Sequence, residues 1–282
     1  MRILYSMVLC SAMLVLAVAV SAQTLKPGVA TIVRIQGEAR YSLGDGNWHP
    51  LLVGKMLGAG AIIQTGHNAT VDVVLGKSVE MPQAAPVPDR ISPAPDANVR
   101  GLIDYKPAVE QNMVRLTGDT MLAIDKLTVS DTGLDTVSDT ELDLKQGRIF
   151  ASVKKLSAAS QYLIKIPNGI AGVRGCVVVI DASGWCAVIK DPLAPPSHKG
   201  ALLLSIIGPN GTPATYQVDE GSQFTPQTGQ ITPLSPELLG LFQPTAMALD
   251  TVYLEIVSFE YDRTFCFISP IHRPPRGFPH GI

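Results

Sequence analysis

Arg174 lies between two glycines, Gly172 and Gly175, a placement that lets the backbone approach closely while the guanidinium offers its fixed fork of donors to carbonyls or a carboxylate. Buried arginines are normally paired, so this pattern predicts an internal strut that meets an acidic residue and fixes a turn, with a binding role as the alternative. Gly172 and Gly175 read as backbone necessities. Asp139, Glu141 and Asp143 fall on one face of any strand that contains them, and three carboxylates there could hold a hard cation through oxygen ligands. Their spacing matches no calcium loop, so a solvated face is expected and no metal is assigned. Past the first 22 residues the chain keeps Cys176, Cys186 and Cys266. With a two-residue loop bracketed by Asp181 and Gly184, Val179 faces Cys186 and Cys176 faces Ile189. The two thiols then lie on opposite faces of a hairpin, unable to bridge, and are expected buried and free. His49, His67, His198, His272 and His280 are scattered beside no nucleophile signature, and the sequence contains no phosphate-cradling glycine loop or dinucleotide fingerprint. A non-catalytic chain with no cofactor is the expectation.

The elements that must position these residues are strands. Leu142 and Leu144 alternate with charged residues, as do Ile149, Ala151 and Val153, then Tyr162, Ile164 and Ile166, the period-two pattern of half-buried strands. Pro167 cannot donate to a ladder and closes the strand before it, and Asn168-Gly169 is read as supplying the positive φ of a tight reversal.

The run Leu142-Asp-Leu-x-x-Gly147-x-Ile149, with Val153, Tyr162 and Pro167-Asn168-Gly169-x-Ala-Gly172-Val-Arg174-Gly175, resembles the core signature of the FecR family, extracytoplasmic β domains first known from iron-uptake signalling. Upstream, Val33-x-x-x-Gly37-x-Ala39, Trp48-x-x-Leu51 and Gly54-x-x-Leu57-x-x-Gly60-x-Ile62-x-Thr65-Gly66 resembles its N-terminal half, so the likeness runs from about Ala30 to Phe224. Cys176 stands where the family usually has Thr. The resemblance implies an exported, all-β binding domain in which Gly147, Pro167, Asn168, Gly169, Gly172, Arg174 and Gly175 are structural motif residues.

Composition agrees with such a class. The 282 residues are 46% hydrophobic and 16% charged, ordinary for a folded protein, and Gly 25 with Pro 22 favours many turns and short strands. A net charge of −2 without a basic stripe supplies no phosphate-neutralising surface, which sets nucleic acid aside. Met1-Arg2, the uncharged apolar run Ile3 to Val20 and Val20-Ser21-Ala22 before Gln23 read as a secretory signal peptide over residues 1–22, with an uncleaved anchor as the alternative. Bacterial periplasmic or extracellular export is expected.

Residues 23–225 then form one FecR-like β domain of jelly-roll or β-solenoid kind, interrupted by a Pro-rich insertion at 82–107 that is extended and solvated. Val29 to Gln36 and Ala39 to Ser42 read as a hairpin. Strands resume at Asn112 to Leu116 and Met121 to Val129, the latter with a phase slip at Asp125-Lys126 that predicts a bulge. Cys176 to Ile180 and Trp185 to Lys190 flank a turn, and the continuous apolar run Ala201 to Ile207 reads as a buried strand. Residues 226–282 form a partly disordered extension with a short helix from Pro236 to Phe242, a segment from Thr251 to Phe259 ambiguous between strand and helix, and an unstructured end from His272.

In regulators of the resembled family a cytoplasmic sigma-factor-restraining segment precedes the membrane helix. Only Met1-Arg2 precedes the apolar run here, so the expectation is a stand-alone envelope binding protein whose partner is an envelope protein or glycan. Sigma-factor or transport signalling through a separate membrane partner is the alternative reading. An enzyme would gather acid, base and nucleophile in a pocket; a binding module would show an exposed sheet edge or apolar patch.

Overall fold

The computed structural model describes residues 26–79, 101–105, 111–131, 136–154, 157–190, 200–208, 211–249 and 252–256. The expected leader, most of the Pro-rich insertion, Cys266 and the chain end from His272 lie outside them.

The chain opens with β1 (Lys26–Pro27), β2 (Val29–Gln36), β3 (Ala39–Ser42), β4 (His49–Pro50), β5 (Met56–Leu57), β6 (Ile62–Thr65) and β7 (Thr70–Gly76). It continues through β8 (Gly101–Tyr105), β9 (Asn112–Leu116), β10 (Met121–Asp131), β11 (Thr136–Gln146), β12 (Arg148–Ser152), β13 (Gln161–Ile166) and β14 (Gly169–Arg174). Then follow β15 (Val177–Asp181), β16 (Cys186–Ile189), β17 (Ala201–Ile207), β18 (Pro213–Asp219), β19 (Ser222–Thr225), β20 (Gln230–Pro233), α1 (Pro236–Ala248) and β21 (Val252–Ile256). The all-β class holds.

Two large sheets share one core. A ten-stranded front sheet runs β18-β17-β14-β13-β11-β10-β6-β3-β4, with β1 beside β10, and a nine-stranded back sheet runs β20-β19-β16-β15-β12-β9-β7-β2-β5. Both are laid down broadly in chain order from one end of the molecule to the other. The alternation read from sequence places the inward face correctly: Leu142, Leu144, Ile149, Ala151, Val153, Tyr162, Ile164 and Ile166 all belong to the apolar layer between the sheets. The predicted slip in β10 is present as a register shift between Ile124 and Lys126.

Other expectations are corrected. β2 and β3 are not a hairpin: β2 pairs with β5 and β7 in the back sheet, β3 with β4 and β6 in the front sheet, and Gly37 turns the corner at φ 77°. A Cβ at Gly37 would stand 3.0 Å from the Ala69 Cα, so the corner is too close for a side chain. The reversal after β13 is made by Pro167 and Asn168 alone, with Ile166 opposite Gly169 and no positive φ at Asn168 or Gly169. Gly169 is instead required by contact, because a Cβ there would run into the Ser205 carbonyl and lie 2.9 Å from the Ile206 Cα of β17. Within the segment read as a solvated insertion, β8 pairs antiparallel with β21, which also settles the ambiguous C-terminal segment as a strand.

Helix α1 lies on the outer face of the back sheet. Ser235 caps it by accepting from the Leu238 N–H at 3.3 Å, Pro236 occupies the first turn where a missing N–H is harmless, and Glu237 faces the positive helix end. It continues six residues beyond the expected stop, through Pro244, because Phe242 and Ala246, one turn apart, are buried with Leu249 against Val33, Val74, Met113, Phe150, Val179 and Ala187. The middle of the back sheet is therefore covered on both faces. Among the described residues, no helix is long and apolar enough to cross a membrane.

Candidate interaction surface

The motif residues cluster around turns. Gly147 holds φ 83° between β11 and β12, and a Cβ there would come 2.6 Å from the Thr120 Cα and 2.7 Å from the Asp119 carbonyl. Gly175 holds φ 62° after β14. Asn168 donates through Nδ2 to the Ser183 carbonyl at 3.4 Å and lies against Gly184, joining the β13–β14 reversal to the β15–β16 turn. Gly172 has no such constraint: a Cβ would meet only the Leu163 Cδ2 at 3.7 Å and the Leu203 carbonyl at 3.9 Å, so its reading as a backbone necessity is corrected.

Arg174 is corrected as well. It is exposed at the end of β14, and no ion pair from it occurs among the described residues, so it is no internal strut. The glycines around it serve the backbone, while its side chain points along the outer face of the front sheet. Buried ion-pairing falls to a residue that motif reasoning passed over: Asp72, on the other sheet, is wholly buried and takes Arg115 Nε at 2.6 Å and NH2 at 2.8 Å. The signal was available in the sequence as single charges at matched positions of two apolar strands, but only pairing β7 with β9 sets them opposite.

Arg148 is the second arginine that matters. Its guanidinium lies 5.4 Å from the Trp185 ring centre and 5.8 Å from that of Phe242, and NH2 donates to Asp181 at 3.3 Å. Phe150 meets Phe242 edge-on at 5.6 Å. This cluster docks α1 on the back sheet.

The two described cysteines share a face, against expectation. Ile180 pairs with Cys186 and Val177 with Ile189, because Asp181 opposes Trp185 and the loop is three residues, Ala182 to Gly184, instead of two, and one residue of slip reverses a side chain's face. Both thiols are buried and free in the common core, and burial pushes each up to about 12. They lie at opposite ends of the hairpin: Cys176 is four residues along from the partner of Cys186, about 13 Å, too far to bridge.

Asp139, Glu141 and Asp143 do share the outer face of β11, as the spacing requires, and each meets lysine. Lys126 pairs with Asp139, Lys165 with Glu141 and with Asp125 at 3.0 Å, and Lys145 with Asp143 at 2.6 Å. The Asp139 bond, then its charge, raises Lys126, and bonds to Glu141 and Asp125 raise Lys165. No three His, Cys, Asp or Glu side chains among the described residues form a metal cluster. His67 Nδ1 and Asp119 Oδ2 lie 2.7 Å apart on the surface, while the Thr117 and Thr120 hydroxyls, nearby in sequence, donate to the Arg148 carbonyl at 3.0 and 3.1 Å.

Beside the charged ladder the same outer face turns apolar. Leu163 on β13, Gly172 on β14 and Leu203 on β17 stand in one cross-strand row, with Ile170 in the adjoining row. The bare Gly172 leaves a dip between Leu163 and Leu203. The run Ala201–Ile207, expected to be buried, alternates instead: Leu202, Leu204 and Ile206 enter the core, whereas Leu203 and Ile207 are 50% and 59% exposed. Helix α1 covers the back sheet, and no described element covers this face of the front sheet.

No family model matches the chain, and no curated protein and no solved structure matches it either.

Proposed function

We propose that the protein is an exported FecR-like domain of the bacterial envelope that acts by binding an envelope protein and catalyses no reaction. The observation that carries this reading is the apolar patch on the outer face of the front sheet, where half-buried Leu163 and Ile170 adjoin exposed Leu203 and Ile207 next to a ladder of mutually paired charges. Neighbouring apolar side chains on an open sheet face, interrupted by Ser205 and rimmed by charge, favour a protein contact, since covering them removes apolar surface from water while the rim sets orientation. The carboxylates of the face already hold lysines, which supports binding over chemistry. The FecR-like reading adds export, with the leader at residues 1–22 directing the chain outside the cytoplasm.

The test has two parts. Fractionation with mass determination of the mature N-terminus is expected to return a chain beginning at Gln23 in the periplasm or medium; a chain in the cytosol overturns export. Leu203→Lys with Ile207→Lys leaves the core untouched, and an envelope partner identified by cross-linking should bind this variant at least ~10-fold more weakly. An unchanged dissociation constant, saturable binding to a purified envelope glycan alone, or hydrolytic turnover overturns the reading.

A further inference from the structure

Each large sheet ends in two edge strands, and natural sheets protect such edges by shortness, proline or charge. Three of the four follow that rule. β4 has two residues, one of them Pro50; β5 has two; β20 has four and ends in Pro233. The fourth, β18, is seven residues of Pro-Ala-Thr-Tyr-Gln-Val-Asp with no lysine, no register shift and proline only at its first position.

The groups this edge presents follow from its pairing. Gly208 N–H donates to the Thr212 carbonyl at 2.9 Å, and Ile207 N–H donates to the Asn168 carbonyl on the other side at 2.9 Å. In an antiparallel ladder these directions alternate, so Ala214, Tyr216 and Val218 bond to β17. Thr215, Gln217 and Asp219 therefore turn their N–H and C=O groups outward, and Pro213, the residue without a donor, adds only its carbonyl there. No described strand takes these groups.

From this edge we infer that the protein forms a two-fold dimer by antiparallel pairing of β18 with β18 of a second copy, which joins the two front sheets into one. The strand is self-complementary in the register of full overlap. Thr215 exchanges both bonds with the partner's Gln217, Asp219 N–H meets the carbonyl of the partner's Pro213, and Tyr216 stands on the axis against the partner's Tyr216. The sole charge of the strand, Asp219, is thus set against an uncharged proline and away from its own copy, so no like charges oppose. Tyr216 already packs against Phe224, ring centres 4.5 Å apart and planes tilted by 40°, which holds its ring on the core side of the sheet where it would meet its counterpart. The dimer brings the two apolar strips onto one continuous face and makes a single-site binder bivalent.

Sedimentation equilibrium of the natively processed chain should return twice the chain mass. Gln217→Pro removes an N–H that points only at the free edge, so the monomer ladder stays whole while dimer dissociation rises by about 30-fold or more. In the unmodified protein, amide exchange at Thr215, Gln217 and Asp219 should slow as concentration rises, a readout that needs no variant. A monomer at every concentration, a dimer unaffected by Gln217→Pro in a variant of unchanged far-UV circular dichroism, or amides at these positions that stay unprotected in a dimer each overturn the inference.

Discussion

Asp72 and Arg115 stand directly opposite one another on β7 and β9 and close a two-bond ion pair on the outer side of the back sheet, with Asp72 fully removed from solvent. Arg34 of β2 flanks the same aspartate from the other side. The ion pair fixes the register of β7 against β9 by charge where the neighbouring residues are interchangeable apolar side chains.

Removing one partner of this pair leaves an uncompensated buried charge. Asp72→Ala should lose about 3–5 kcal/mol of stability in urea unfolding, whereas Asp72→Leu with Arg115→Leu should recover most of it. Equal losses in the single and double variants would contradict this account.

The two glycines Gly147 and Gly172 should respond oppositely. Gly147→Ala forces a side chain into positive φ and against the Thr120 backbone, at a cost of about 1–3 kcal/mol or more. Gly172→Ala meets only ordinary contacts and should gain about 0.4–1 kcal/mol by restricting the unfolded chain. Thermal and denaturant melts of the two variants decide it.

Cys176 and Cys186 should resist iodoacetamide in the native state and react on unfolding, because burial holds each thiol neutral up to about 12. The unfolded chain releases these protons from about 9.0 upward while the folded one keeps them. Their contribution to stability is thus complete below that pH and falls as pH rises toward 12. Alkaline unfolding followed by circular dichroism should shift to higher pH in a Cys176→Ala, Cys186→Ala variant.

Phe242 anchors α1 between Phe150, Trp185 and Arg148. Phe242→Ala should cost about 3–5 kcal/mol, shift Trp185 emission to the red and accelerate amide exchange in the helix before the sheets open. Unchanged exchange would mean the helix is held elsewhere.

How much of this was legible in the sequence differs from segment to segment. The pleat repeats every two residues wherever a strand exists, so the inward residues of β11, β12 and β13, the span of β9, the slip in β10 and the carboxylate row on β11 could be read directly. What covers a strand's second face is not local. Ala201–Ile207 reads as buried because all but one of its residues are apolar, yet it lies one strand from an open edge with nothing described over its outer side. The equally apolar β15 and β16 are sealed by α1, contributed by residues more than forty positions later. Register is equally remote from local pattern: lengthening one turn by a single residue put both cysteines on the same face. Arg174 shows the limit most plainly, since the positive φ of Gly175 beside it is a backbone requirement that sequence suggests, while its exposure depends on no described element packing over the outer face of the front sheet. Alternation is a property of each strand's own backbone and was written in the chain; the assignment of strands to sheets, of faces to solvent and of edges to partners is set by long-range pairing, which only the tertiary structure decided.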